Sequence, residues 1–404
     1  MARAQLTGIL LAQTTTYVGL QLFMFVAPWW ALGFTESPLA PIGIFLAITL
    51  ANTLPGPLVG HLVDKSDPLR LLQTARILTV LLLAVIALIS FVKLESIGLV
   101  CLLVGLVGFT EFLYSTAFFS AVPRFIDRQG LLGLGSRLET INAVAGILAP
   151  VVVGHLLVLG NFTVAFGAVA ALLALGLLGF RGASAGKIGG EEDKSPGTES
   201  SSKTGFVQGL HLSVRQTLAD KKLLYLIAIP ALANVAMAPL GALVLAAVHG
   251  LGLGAREAGW ATSAFAGGVL AATLLLARFS TPRHLYPVGI SVLVLGLGTV
   301  ITGAVGYPYM LVGSFLAGGG TIALGLYART LMQTLAGPST LGKSLALQRT
   351  LRMSLRPLGL VLAGVGAELF GSRTTIAFLG VYLVLLGWFS LWWARSTLRK
   401  KEGL

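Results

Sequence analysis

The chain has 404 residues, of which 55% are hydrophobic and 11% are charged, and its mean hydropathy is +0.88. Since a soluble domain carries charge on roughly a quarter of its residues, this composition excludes a water-soluble globular protein. The formal net charge of +13 does not indicate nucleic-acid binding, because the basic residues lie mostly between apolar segments, as the positive-inside rule describes. The sequence contains no phosphate-binding loop, zinc-helix motif or nucleophile elbow, so we expect neither an enzyme nor a cofactor.

Twelve apolar windows follow one another along the chain, and a helix needs roughly 20 such residues to cross a bilayer. An even number of spans places both chain ends on one side of the membrane, and the basic residues predict that this side is the cytoplasm. We therefore expect a multi-pass protein of the cell (inner) membrane. The windows lie near residues 5–32, 37–63, 76–92, 97–120, 138–159, 162–180, 223–248, 257–277, 286–305, 308–333, 344–370 and 375–394.

A polar segment separates the first six windows from the last six. Residues 181–205 are rich in Gly, Ser, Lys and Glu and contain very few apolar side chains, which is typical of a disordered linker. Apolar residues then recur at helical spacing and predict an amphipathic helix on the membrane surface. These residues are Val207, Leu210, Val214 and Leu218. We expect an N-terminal bundle at 1–181, a cytoplasmic linker at 182–222 and a C-terminal bundle at 223–404.

A weak internal repeat agrees with this division. GHLLVLGNFTVAF at 154–166 aligns with GAELFGSRTTIAF at 366–378, an offset of 212 residues. Parallel repeats of six helices are the plan of major facilitator transporters, whose substrate site lies between the two halves. The predicted fold is therefore an all-α membrane protein of the major facilitator type, with 12 transmembrane helices in two pseudo-symmetric six-helix bundles.

The segment between the second and third windows, GHLVDKSDPLRLLQTAR at 60–76, resembles the loop motif of that superfamily: a Gly, three residues, an Asp and then basic residues. The resemblance implies a gate whose charged pairs form in one conformer and separate in the other. We expect Glu139, near the start of the fifth window, to pair with one of the arginines. The alternative is a solvated loop with ordinary cytoplasmic charge. The predicted gate residues are Gly60, Asp64, Arg70, Arg76, Arg137 and Glu139.

Four stretches resemble the ferroportin family within the same superfamily. They are GLQLFMFVAPWW (19–30), the segment 60–74, LETINAVAGILAPVVVGHLL (138–157) and GKSLALQRTLRMSLRPLGLVLAG (342–364). The resemblance implies an exporter of divalent iron or a similar metal. Iron and cobalt sites need imidazole, carboxylate or thiolate ligands, and the positions where the family carries them hold other residues here, so we expect no metal site. Those positions are Leu20, Met24, Asn142 and Gly359.

One acidic residue, Glu111, lies midway through the fourth window. A charged carboxylate is costly inside a membrane, so we expect Glu111 to be protonated, paired or facing a cavity. A carboxyl group in such a place can exchange a proton during transport. The alternative is a structural hydrogen bond between helices.

Further polar residues form two groups. Arg329 and Arg356, in the tenth and eleventh windows, are expected to face a central cavity, whereas Arg349 is expected to extend to the headgroups. In the first window Gln13, Tyr17 and Gln21 are spaced four apart and share one helix face, which suits either an organic solute or helix packing. The candidate substrate and coupling residues are Glu111, Arg329, Arg356, Gln21, Tyr17, Met24 and Asn142.

These features predict a secondary active transporter that exports a small solute by alternating access, either ferroportin-like or coupled to protons. An organic solute or a chelated metal is favoured over a bare divalent metal. The expected partners are the lipid bilayer, a small-molecule or ion substrate and a proton or ion gradient, and the expected state is a monomer. Two alternatives stay open: a ferroportin-type exporter of divalent iron or another transition metal with a non-standard site, and a membrane receptor that does not transport.

Overall fold

The computed structural model describes residues 2–122, 128–159, 161–179, 220–278, 284–336 and 338–399, which form helices joined by short connections. The N-terminal half contains α1 (Ala2–Thr35), α2 (Leu39–Thr53), α3 (Gly56–Lys65), α4 (Pro68–Phe91), α5 (Ile97–Ala121), α6 (Arg128–Leu156) and α7 (Phe162–Leu178). The C-terminal half contains α8 (Lys221–Met237), α9 (Leu240–Gly250), α10 (Ala255–Leu276), α11 (Tyr286–Ala304), α12 (Tyr307–Leu335), α13 (Pro338–Phe370) and α14 (Ser372–Arg399).

The helices account for the twelve predicted windows. Within the described chain, 10 spans are long and apolar enough to cross a membrane, with α8 and α9 together forming one of them, and α2 with α3 forms an eleventh. The remaining window is α7, a shorter apolar helix of 17 residues. The prediction of an all-α membrane protein is thus confirmed.

Two of the spans are interrupted at a proline. Helices α2 and α3 meet at Pro55 and are bent by 51°, whereas α8 and α9 meet at Pro239. Proline has no backbone N–H to donate, and its ring clashes with the carbonyl of the preceding turn. The bend at Pro55 turns α3 away from the line of α2, and α3 packs against α5.

The segment 60–76 is mostly helical, so its prediction as a loop is wrong. Helix α4 begins at Pro68, eight residues before the predicted start of the third span. Proline suits the first turn because its missing N–H would be unpaired there in any case. Asp67 caps the helix by accepting a hydrogen bond from the backbone N–H of Leu69 at 3.1 Å. Arg76 therefore lies inside a membrane helix.

The spans run between two ends of the molecule, which we call the terminal end and the loop end. The described chain starts and finishes at the terminal end, and the short connections 36–38 and 92–96 lie at the loop end. Helix α6 packs on α10, and α2 packs on α13, so these four helices join the two halves. Residues 180–219, which include most of the predicted linker and the predicted amphipathic helix, lie outside the described residues. The boundaries of the three predicted domains stay predictions.

The contacts that join the halves cluster toward the loop end. Ser263 of α10 donates a hydrogen bond to the backbone oxygen of Ile147 in α6 at 2.6 Å. Ser37, just before α2, donates one to Glu368 near the end of α13 at 3.4 Å. These bonds hold the bundles together on the loop side of the membrane.

Two glycines let α6 and α10 approach closely at this interface. A Cβ atom added to Gly154 would lie 2.6 Å from the backbone oxygen of Ala255, and one added to Gly259 would collide with the backbone oxygen of Pro150. Small residues allow membrane helices to pack backbone against backbone. Larger side chains here would force the two halves apart at the loop end.

The facing surfaces are exposed toward the terminal end. Arg137 and Glu139 of α6 are exposed, as are Arg329 of α12 and Arg349 of α13. Hydrogen bonds that cross between the bundles, as far as the described residues show, lie nearer the loop end. We infer from this arrangement that the two halves flank a cleft, closed at the loop end by these contacts and open at the terminal end.

Candidate functional site

A buried ion pair lies inside the N-terminal bundle. Arg76 of α4 donates a hydrogen bond from Nη1 to Oε1 of Glu111 in α5 at 2.7 Å, and a second one from Nη2 to the hydroxyl oxygen of Thr16 in α1 at 2.7 Å. Its guanidinium carbon lies 3.9 Å from the ring centroid of Tyr114. The Arg76 side chain is 1% exposed and that of Glu111 is 10% exposed. Of the three possibilities for Glu111, the structure shows the paired one.

Neutral side chains extend this pair into a network across three helices. The Tyr114 hydroxyl donates to the side-chain oxygen of Gln13 at 3.3 Å. Thr79 of α4 donates to Thr110 of α5 at 2.9 Å. Arg76 lies eight residues into α4, about 12 Å along the helix axis, so the network lies well inside the membrane. Because buried charge is tolerated only when it is paired and hydrogen-bonded, the network ties α1, α4 and α5 together.

The other predicted gate residues lie at the terminal end. Asp64, Arg137 and Glu139 are exposed, and a Cβ added to Gly60 would meet no atom within 4 Å. Arg70 is exposed and pairs with Asp67 at 3.8 Å.

The expected pairing of Arg76 with the gate is therefore wrong, because its guanidinium is engaged by Glu111. Which of the remaining residues act as a gate stays a prediction.

Polar residues on α1 divide between two environments. Gln13 is buried, accepts a hydrogen bond from Tyr114 inside the bundle and is also hydrogen-bonded to Tyr17, as expected for residues on one helix face. Gln21 is half-buried and donates to the side-chain oxygen of Asn142 in α6 at 3.3 Å. Tyr17 is half-buried as well. This part of α1 supplies the N-terminal half of a candidate substrate site.

Met24 is half-buried, packs against the hydrophobic core and contributes an apolar surface one turn further along α1. Asn142 lies close to Gly146, whose added Cβ would come within 3.8 Å of Ala266 in α10. Asn142 therefore lies one helical turn from the point where α6 comes close to α10.

The C-terminal half contributes four arginines, which we call the arginine cluster: Arg329, Arg349, Arg352 and Arg356. Arg329 and Arg349 lie close enough to Arg352 for their positive charges to repel, and Arg352 acts in the same way on Arg356. Arg329 and Arg349 are exposed, whereas Arg352 and Arg356 are half-buried. Within the described ranges, the ion pairs are Arg70–Asp67 and Arg76–Glu111, so no carboxylate of that part neutralises the cluster.

Two amides that the sequence analysis missed hold α13 in place. Asn234 of α8 donates to the backbone oxygen of Arg352 at 2.8 Å. Gln348 of α13 donates to the backbone oxygen of Leu226 at 2.8 Å. Asn234 is an isolated amide in an apolar span, and such a residue indicates a buried hydrogen bond.

Among the described residues there is no group of three or more His, Cys, Asp or Glu side chains that could hold an ion. Gly359 packs against the backbone of Val235, and a Cβ atom added to it would collide with the Val235 backbone oxygen. Cys101 is half-buried beside Gly43.

A separate cavity of about 270 Å³ lies at the loop end of the N-terminal half. Its walls include the aromatic residues Trp30 and Phe162 and the charged residues Lys93 and Glu95. None of the predicted site residues lines it. The cavity is therefore distinct from the cleft between the halves.

Comparisons with known proteins bear on the fold. No family model and no curated protein sequence matches this chain. A mutant of the nucleoside transporter NupG superposes with a TM-score of 0.72 at 11% identity, covering 96% of this chain and 99% of that one. A bacterial homolog of the human lysosomal transporter Spinster, in an inward-facing and unoccupied conformation, gives 0.70 at 14% identity, with 98% and 97% covered.

A POT family transporter in complex with a thioalcohol-conjugated peptide gives a TM-score of 0.69 at 13% identity, covering 96% of each chain. At such identities the likeness concerns the fold alone. Together with the helices described above, it shows that this chain is an integral, multi-pass, all-helical membrane protein with the major facilitator fold.

Proposed function

We propose that this protein is a secondary transporter that moves a small solute across the membrane by alternating access. The observation that carries the proposal is that direct contacts join the two halves at the loop end, while Arg137, Glu139, Arg329 and Arg349 are exposed at the terminal end. Secondary transporters place their substrate between two such halves, near the middle of the bilayer. The solved structures of similar fold include nucleoside and peptide transporters, which favours a small organic solute.

The proposed substrate site combines residues of both halves. Tyr17, Gln21, Met24 and Asn142 supply neutral polar and apolar contacts from the N-terminal half. Arg329 and Arg356 supply charge from the C-terminal half. Such a lining suits an organic solute or a chelated metal better than a bare divalent ion, which the arginines would repel.

Movement of the two halves requires a closure at each end. At the loop end the closure is the packing of Gly154 and Gly259 between α6 and α10, together with the Ser37–Glu368 hydrogen bond. At the terminal end we propose that Asp64 and Arg70 of the 60–76 segment approach Arg137 and Glu139 when the cleft closes there.

The positive-inside rule makes the terminal end cytoplasmic, so the present conformation is inward-facing. We propose export of the solute and a monomeric protein.

We further propose that Glu111 couples transport to a proton gradient. Apart from Arg76, Glu111 is the buried charged residue of the described chain. Protonation of Glu111 would release Arg76, and the three helices that the pair now joins would gain freedom to move. A charge pair that forms in one conformer and breaks in the other changes the relative stability of the two conformers.

The test uses a double-cysteine variant in which the two halves can be cross-linked at the loop end and the cross-link can later be reduced. Ser37→Cys and Glu368→Cys, on a Cys101→Ser background, are joined by a reversible bis-methanethiosulfonate reagent in proteoliposomes. The liposomes are offered a defined mixture of small metabolites, and uptake is measured by mass spectrometry.

We expect at least one solute to accumulate before locking, to stop accumulating after it and to recover on reduction. Equal uptake in the locked and released protein contradicts alternating access. Saturable binding without any uptake or counterflow supports the receptor alternative.

A second candidate is a ferroportin-type exporter of divalent iron or another transition metal. The resemblance of 19–30 and 138–157 to that family favours it. The packing of Gly359 against Val235 disfavours it, because a histidine does not fit there.

A further inference from the structure

The arginine cluster carries a large unbalanced charge inside the C-terminal half. Residues 307–367 contain no Asp or Glu, so the cluster lacks a nearby acidic partner in its own two helices. The Nε atom of Arg356 is buried and has no hydrogen-bond partner among the described residues. An unpaired buried donor on a charged group is unfavourable, so an acceptor placed beside the Arg356 Nε would stabilise this part of the protein.

The cluster lies on the face of α13 that points into the protein. Gly359 contacts α8 through Val235, and Gly364 contacts α2 through Ile42. With 3.6 residues per turn, Arg356 falls between these two contact faces. The opposite face is exposed and aliphatic, as expected for a surface in contact with lipid; its residues are Leu358, Val361, Leu362, Val365 and Leu369.

Extension toward the headgroups does not account for Arg356. The residue lies 14 positions before the end of α13 at Phe370, about 21 Å along the helix from the loop end. Its backbone neighbour Arg352 is fixed by the hydrogen bond from Asn234 to its carbonyl oxygen. The backbones of Arg352 and Arg356 therefore lie near the middle of the span Ser344–Phe370, on the face of α13 that points into the protein.

We propose that the arginine cluster is an anion-binding site and that the transported solute carries a carboxylate or phosphate group; the second part rests on the proposed transport function. A guanidinium binds either group through two parallel N–H···O hydrogen bonds. Arg352 and Arg356, one turn apart on one face, would bind the anion directly. Arg329 and Arg349, at the mouth of the cleft, would attract it.

The test measures the charge preference of the cleft without knowledge of the solute. Met353→Cys, on a Cys101→Ser background, places a thiol three residues from Arg356 and four from Arg349, on the same side of α13. The thiol reacts with a sulfonate-bearing or a trimethylammonium-bearing methanethiosulfonate of similar size, and each rate is divided by the rate with a free thiol.

We expect the anionic reagent to be favoured roughly tenfold, as several nearby positive charges in a medium of low dielectric imply. Arg352→Gln with Arg356→Gln should remove most of this preference. The matched control is Arg395→Gln, an exposed arginine of α14 outside the cluster, which should leave it unchanged.

Equal rates for both reagents, or a preference that survives the double substitution, contradict the proposal. Failure of both reagents to react also contradicts it, because Met353 would then not face the cleft.

Two further measurements distinguish a soluble anion from a lipid headgroup as the ligand of the arginine cluster. Protein in phosphatidylcholine nanodiscs is given citrate or inorganic phosphate at matched ionic strength, and protein in nanodiscs with added phosphatidylglycerol is given neither. Protection of the thiol by the soluble anions supports a soluble solute, whereas protection by phosphatidylglycerol alone supports a lipid headgroup. Protection in neither arm contradicts an anion site.

If the thiol shows the charge preference but cross-linking does not affect uptake, the proposed anion site is supported and the proposed transport function is contradicted. If cross-linking stops uptake reversibly but the thiol shows no charge preference, the transport function is supported and the anion site is contradicted.

Discussion

Arg76 and Glu111 lie 35 residues apart in the sequence and meet at 2.7 Å inside the N-terminal bundle. Thr16 accepts a second hydrogen bond from the same guanidinium, so the pair joins the first, third and fourth spans. This geometry changes what a substitution at Glu111 should do. Removal of the carboxylate removes a titratable group and also leaves Arg76 buried without a counter-charge.

Glu111→Gln should therefore destabilise the protein. Breaking one side of a buried ion pair costs about 3–5 kcal/mol because the remaining charge is uncompensated. Arg76→Gln with Glu111→Gln should be more stable than Glu111→Gln alone, since both charges are gone. Thermal unfolding in detergent measures both effects. As a control, Arg70→Gln breaks the exposed Arg70–Asp67 pair and should cost less than about 1 kcal/mol. A Glu111→Gln variant as stable as the wild type would show that the pair is absent in the membrane.

The double variant also isolates the proton-coupling role of Glu111. If Glu111 carries the coupled proton, Arg76→Gln with Glu111→Gln should still exchange solute across liposomes but should no longer accumulate it when a pH gradient is imposed. The measurement compares counterflow with gradient-driven uptake in one preparation. Accumulation at the wild-type level would assign coupling to another group.

Gly259→Ala should weaken the closure at the loop end. The added methyl group collides with the backbone oxygen of Pro150, and overpacking of this kind typically costs about 1–3 kcal/mol. The population should shift toward a conformer open at the loop end, with faster labelling of a cysteine at Ser37 from that side. Gly167→Ala is the matched control, because its added methyl group meets no atom within 4 Å. Equal labelling in the two variants would mean that the α6–α10 contact does not control access.

Free iron, cobalt and nickel should bind at most weakly. The positions at which the ferroportin resemblance would place metal ligands hold Leu20, Met24, Asn142 and Gly359, none of which carries an imidazole, carboxylate or thiolate. A single positive charge 4 Å away at an effective dielectric of 20 repels a unit charge by about 4 kcal/mol, and Arg356 lies beside the cleft. Isothermal titration in detergent and in nanodiscs should show millimolar binding or none. A stoichiometric micromolar site would favour the metal-exporter alternative.

Replacement of residues 187–204 by a Gly/Ser segment of equal length should leave transport intact. This part of the linker contains too few apolar residues to pack against the bundles. Solute uptake in proteoliposomes, compared with that of the unaltered chain, is the measurement. A loss of more than a few-fold would indicate that the linker has a regulatory function.

The amino-acid sequence alone determined the order and most of the boundaries of the apolar helices. A bilayer requires each crossing segment to be a helix of about 20 apolar residues, and this requirement is local. The exceptions are local as well: the helix start at Asp67–Pro68 adds eight residues, about two turns, before Arg76, α6 begins ten residues before the predicted position 138, and Pro55 broke the second span.

Only the tertiary structure decided which polar groups meet. The sequence placed Gln13, Tyr17 and Gln21 on one face of α1 but left open their partners on other helices, which are Tyr114 for Gln13 and Asn142 for Gln21. It also left the partner of Glu111 open, because the helices are apolar on nearly all sides and their pattern does not specify their rotation. Pairings between distant residues arise from helix packing, which depends on the shapes of all the neighbouring side chains at once.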